Sequence, residues 1–163
     1  MLNFMKFKIK YFFVLFFIIG QEFIFAQQLS PPIDNFPPKS YNAASQNWDI
    51  DVDEAGVIYV ANNDGLLSFD GQSWDFYSLP GGSIIRSVYV FEDKIFTGSY
   101  KEFGYWSKDP TGKLDYFSLI PEHLKEHMDS EEFWQIMSFQ GDIYFRSFAA
   151  VYQYDHNTVV PVS

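Results

Sequence analysis

Two indoles and one guanidinium, those of Trp48, Trp134 and Arg86, are the side chains whose types suit ligand recognition. An indole face stacks on a sugar ring, and an arginine fork pairs a carboxylate through parallel hydrogen bonds. The three are far apart in sequence, so only a fold can unite them. The alternative is that they pack one structural unit against the next. Tyr100 and Glu102, on an expected turn, are weaker candidates for ligand contact.

Catalytic patterns fail on inspection. His123-Leu124-Lys125-Glu126-His127 spells H-x-x-E-H, in which two histidines on one helical face hold zinc and the glutamate is the base. Zinc needs a third protein ligand, which that pattern takes from a Glu far downstream. No Glu follows Glu132, and His156 falls at an expected strand end. The stretch after Pro121 reads instead as an acidic surface helix with proline near its first turn. Asp49, Asp51 and Asp53 mimic the start of a calcium loop, but the sixth position is Glu54 rather than Gly and the twelfth is Val60 rather than Glu. They read as acids guarding a strand edge. No carboxylate pair stands out for glycoside hydrolysis, and there is no nucleophile elbow, P-loop or dinucleotide fingerprint. With no cysteine, disulfides, thiolate metal sites and a lipidated cysteine are excluded. The expectation is a binding protein, not an enzyme, with no cofactor and no metal.

The elements that must position these residues are short strands. Ile50 and Val52 alternate with Asp49, Asp51 and Asp53, the period of a half-buried strand. A Glu-Ala-Gly turn precedes the apolar run Val57 to Ala61, which suits a central strand. Asn62 to Gly65 turns into Leu66 to Phe69, and Asp70-Gly71 signals a tight hairpin into Ser73 to Tyr77. The order then recurs. Arg86, Val88 and Val90 stand where Trp48, Ile50 and Val52 stood, followed by Lys94 to Gly98, Phe103 to Trp106 and Leu114 to Phe117. A third copy begins at Trp134 and continues through Ile143 to Phe145 and Val151 to Tyr154. Repeats of ~40–50 residues with four strands each predict an all-β chain of β-propeller blades, the alternative being a plain β-sandwich. The expected blades are 45–80, 84–119 and 133–163, with an insertion at 120–132, in a domain spanning 41–163. In a propeller the first strand of each blade lines the channel, where Trp48, Arg86 and Trp134 take equivalent places.

Upstream, Lys6, Lys8 and Lys10 precede the apolar run Tyr11 to Gly20, and Ala26 precedes Gln27-Gln28. This is the layout of a signal peptide over residues 1–26. An uncleaved anchor is the alternative, but Gln21 and Glu22 interrupt the ~20 apolar residues a spanning helix needs. Residues 27–40 hold Pro31, Pro32, Pro37 and Pro38 and predict an extended, helix-blocking leader. Residues 1–26 contain three of the 11 Lys and Arg and one of the 21 Asp and Glu; the rest carries 8 against 20, a formal charge of −12. Such a surface repels phosphate backbones, so no nucleic-acid binding is expected. Aromatics at 21% supply ample material for a core.

The ordered motifs Gln46-Asn47-Trp48, Asp53, Gly56, Ile58-Tyr59-Val60, Asn62 and Gly65-Leu66 resemble the two-component-regulator propeller repeat. Arg86-Ser87-Val88, Thr97-Gly98 and Glu102-Phe103-Gly104-Tyr105-Trp106 resemble the same repeat in Bacteroidetes-type periplasmic sensors, over roughly residues 36–160. The resemblance implies seven-bladed propellers, a Tyr-rich immunoglobulin-like domain, a membrane helix and a kinase or helix-turn-helix output. It also implies a glycan or other small periplasmic ligand and, in the full-length protein, a homodimer. The chain stops in its third blade, so the expectation is a sensor segment without its remaining blades and output domain, either a fragment of a longer gene or a truncated product. An exported, lectin-like propeller without signalling is the second reading.

Overall fold

Strand alternation and recurrent Asp/Gly turns build the described chain from hairpins. A computed structural model describes residues 31–162, with the side chain of His127 excepted. Residues 1–26, expected to be a signal peptide, and Gln27 to Ser30 of the expected leader lie outside the described residues. The chain divides into Met1–Asn35 and Phe36–Ser163. In the first unit, residues 31–35 form no regular structure and are exposed.

The second unit is all-β apart from two short helical turns. It contains three four-stranded antiparallel sheets, each a simple meander in chain order. The first is β1 (Asn47–Val52), β2 (Ile58–Asn62), β3 (Leu66–Phe69) and β4 (Trp74–Tyr77). The second is β5 (Ile85–Phe91), β6 (Lys94–Ser99), β7 (Phe103–Lys108) and β8 (Leu114–Ser118). The third is β9 (Gln135–Phe139), β10 (Asp142–Arg146), β11 (Val151–Tyr154) and β12 (Val159–Pro161). Three residues, Val159 to Pro161, are too few to show a period, and β12 has no counterpart in the sequence reading.

The sheets stack through their side chains. One core lies between the first and second sheets, with Tyr59, Ala61 and Leu66 against Val88, Ile95 and Trp106. A second lies between the second and third, with Phe96 and Phe103 against Phe133, Ile143, Phe145 and Tyr152. Strand β6 serves both. Its Ile95 faces one core and its Phe96 the other, so the strand is buried on both sides. The rings of Phe103 and Phe145 stack with centroids 4.4 Å apart. Gly98 lies at a close approach to Phe133: a Cβ there would sit 2.7 Å from Cβ and O of Phe133.

Three expectations need correction. The leader does not stay extended. Pro38–Tyr41 makes one α-helical turn, α1, because proline at the first helical position lacks only a hydrogen bond that the turn would not make. Tyr41 of α1 and Phe36 before it cover Trp74 and Phe69 of the first sheet, with ring centroids 5.5 and 4.9 Å apart. In β1, Ile50 and Val52 are 64% and 53% exposed, whereas Asp49 and Asp51 are the half-buried residues. The acids turn inward because they bond backbone N–H groups of β5, described below. Finally, Glu122–Met128 winds as a 3-10 helix whose Leu124 and Met128 enter the second core, so it is more than a surface insertion. The i,i+4 spacing of a zinc-binding histidine pair belongs to α-helix, not to this tighter winding.

Candidate functional site

The first strands of the three sheets lie side by side, β1 against β5 and β5 against β9. At their starts, Trp48, Arg86 and Trp134 converge. The Arg86 guanidinium carbon lies 4.1 Å from the ring centroid of Trp48 and 4.8 Å from that of Trp134. The two indoles meet edge to face, 5.8 Å apart at 80°. A cation between two indole faces is attracted by both ring quadrupoles, an effect worth about 2 kcal/mol or more when desolvated.

Local backbone irregularity sets this arrangement. The β1–β2 ladder shifts register between Asn47 and Asp49, and the β5–β6 ladder shifts between Ile85 and Ser87. Trp48 and Arg86 are therefore the extra residues of two β-bulges at matching positions. A bulge re-aims one side chain out of the alternation, which is why bulges gather beside binding sites. Trp134 immediately precedes β9, its N–H donating to the Arg146 carbonyl at 3.0 Å.

The hydrogen bonding of the cluster is incomplete. Arg86 Nη2 donates to Glu132 Oε1 at 3.2 Å. Its Nε and Nη1 are buried without a partner, as is the indole Nε1 of Trp134. Trp48 Nε1 is satisfied, donating to Asn63 Oδ1 at 2.7 Å. A buried donor left unpaired costs about 1–3 kcal/mol, so the cluster holds an unmet demand for acceptors.

The cluster forms one wall of a cavity of about 570 Å³, within the usual range for a small-molecule site. Asp49 and Asp51 also line it, with their oxygens engaged by backbone N–H groups. Each Oδ1 accepts from the next residue of its own strand, Ile50 N–H at 2.9 Å and Val52 N–H at 2.8 Å. Each Oδ2 accepts from β5, Val88 N–H at 3.0 Å and Val90 N–H at 2.7 Å. These acids therefore cap the open edges of two first strands, a role related to the edge guarding expected of them.

The remaining candidates from sequence lie apart from the cavity. Glu102 accepts from the Tyr116 hydroxyl at 2.9 Å and the Ser118 hydroxyl at 2.7 Å, tying β8 to the turn before β7. Burial, and then the neighbouring Glu102 carboxylate, push the Tyr116 hydroxyl far above its ordinary value, so it remains a donor. Tyr100 pairs by a single antiparallel bridge with Glu132, the partner of Arg86, and its hydroxyl donates to the Asp129 carbonyl at 3.1 Å. Two residues that sequence reasoning missed belong to the site, Glu132 and Arg146. Arg146 was legible in one respect: the chain contains only two arginines, and both line this cavity. No family model matches the chain, and no curated protein matches it either.

Proposed function

We propose that the three sheets are successive blades of a β-propeller, and that the chain is the ligand-sensing part of an exported, periplasmic signal-transduction protein. In this reading the chain binds rather than catalyses, and a glycan is the ligand. The observation that carries the proposal is the convergence of Trp48, Arg86 and Trp134 on one cavity where the three first strands begin. In a propeller, equivalent residues at the starts of successive first strands would face the central channel, a common place for ligand contact. The meander of each sheet and the ordered motifs resembling the two-component-regulator propeller repeat support the same reading. Signalling and export rest on that resemblance and on the basic-apolar N-terminus.

The test is Trp134→Ala, followed by glycan titration and by chemical denaturation. A ligand site predicts that glycan response falls by tenfold or more, about 1.4 kcal/mol, while stability falls less. Equal loss of both assigns the indole to packing and removes the site. Cell fractionation with N-terminal sequencing tests export: mature chain beginning at Gln27 in the periplasm supports it, and uncleaved cytoplasmic chain refutes it.

A further inference from the structure

We infer that the cavity takes a saccharide bearing a carboxylate, a uronic acid rather than a neutral sugar, with the carboxylate received by Arg86 and Arg146. The inference rests on the binding reading above and adds the charge of the ligand. Residues 27–163 carry 8 basic and 20 acidic side chains, and only two of the basic ones are arginines. Both arginines line this cavity. Arginine differs from lysine in offering a planar fork that matches a carboxylate.

The guanidinium groups there have donors to spare. Glu132 occupies only Nη2 of Arg86, leaving Nε and Nη1 buried and unpaired. The exposed side chain of Arg146 has no carboxylate partner among the described residues. Asp49 and Asp51 line the same cavity but pair with neither arginine; their oxygens accept backbone N–H groups of β1 and β5. An incoming carboxylate supplies the acceptors that are missing. The ring carrying it can lie along the part of Trp48 that Arg86 does not cover: the indole is 37% exposed and also borders a neighbouring apolar hollow formed with Phe36, Tyr41 and Trp74. Stacking selects a ring, and the two arginines select its charge.

The experiment titrates the full chain with digalacturonate, with neutral galactobiose and with galactose 6-sulfate, reading tryptophan fluorescence. The expected result is digalacturonate binding at least about tenfold more tightly than galactobiose, from one charge-assisted pair gained. Arg146→Gln should reduce that preference severalfold, Arg86 keeping the remainder, and since Arg146 is exposed the variant keeps the wild-type melting curve. Equal binding of the acidic and neutral disaccharides overturns the charge inference while sparing the ring site. Tighter binding of the sulfate ester overturns the carboxylate assignment. No fluorescence response to any of the three refutes the ring site itself.

Discussion

At Trp48 and Arg86 the side chain owes its direction to a backbone defect. Both residues were identifiable from sequence by their equivalent place in successive repeats, but the bulges that aim them were not. A bulge adds one residue to a strand without a fixed residue type, so alternation alone passes over it. The acids of β1 show a related limit. Period 2 identified the strand but assigned the wrong face, because apolar residues are assumed to turn inward; here Asp49 and Asp51 do so to satisfy β5. Asp51→Ala should leave Val90 N–H without its acceptor and cost about 1–2 kcal/mol, with Asp51→Asn costing less. Amide exchange at Val90 checks this: faster exchange in the Ala variant is expected, and unchanged protection would show that the carboxylate is dispensable. Gly98→Ala tests the close approach of β6 to Phe133. Its methyl would meet Ser87 Oγ at 2.6 Å and Phe133, whose carbonyl is held by the Ser87 hydroxyl at 3.0 Å. Overpacking there should cost about 1–3 kcal/mol, seen as a lower denaturant midpoint.

Among the elements, the final hairpin of each sheet repeats one device. Asp70 Oδ1 accepts from Gln72 and Ser73 N–H, Asp109 Oδ1 from Thr111 and Lys113 N–H, and Asp155 Oδ1 from Asn157 and Thr158 N–H. Asp70-Gly71 was legible as a turn, but the loop is longer than a two-residue hairpin, since Phe69 pairs with Trp74. The aspartate closes it with its side chain. An Asp after the third strand of every repeat was in the sequence to be found, and it identifies the third sheet better than its three-residue last strand does. Hydrogen bonds from Ser73 N–H, the Thr111 hydroxyl and Thr158 N–H lead the causes that hold these three carboxyls below the ordinary value of 3.8. A carboxyl depressed in the folded state adds stability that is complete above its unfolded value and is lost as pH falls through its folded value. The three hairpins should therefore add no pH dependence between pH 7 and 5 and should weaken below about pH 4. Melting curves of a triple Asp→Asn variant should fall less steeply with acid than those of the wild type. Parallel curves would mean that the loops hold without their charges.

For the whole molecule, the argument turns on the two outer sheet faces. The second sheet is covered on both sides, the third on one, and the first on one with its outer face covered only in part, where Tyr41 packs over Val60 and Leu67. On the first, α1 and Phe36 shield the far strands, while Ile50, Val52 and Phe76 remain open. On the third, Met137, Phe139 and Val160 are open. Apolar rows of this kind are blade contacts in a propeller, where each sheet is covered by the next, and a repeat stack needs neighbours for that reason. The order of motifs made the repeat legible in sequence; which faces stay open was not, because alternation marks both faces of a buried sheet as apolar. The isolated chain should therefore self-associate. Ile50→Lys combined with Phe139→Lys should reduce association in sedimentation experiments without lowering Tm, since neither side chain belongs to a core. In a protein with further blades the same pair should lower Tm, because the lysines would then be buried between sheets at a cost of several kcal/mol. A wild-type chain that stays monomeric and melts in one sharp transition would show that the outer faces need no partner, and the propeller reading would lose its physical motive.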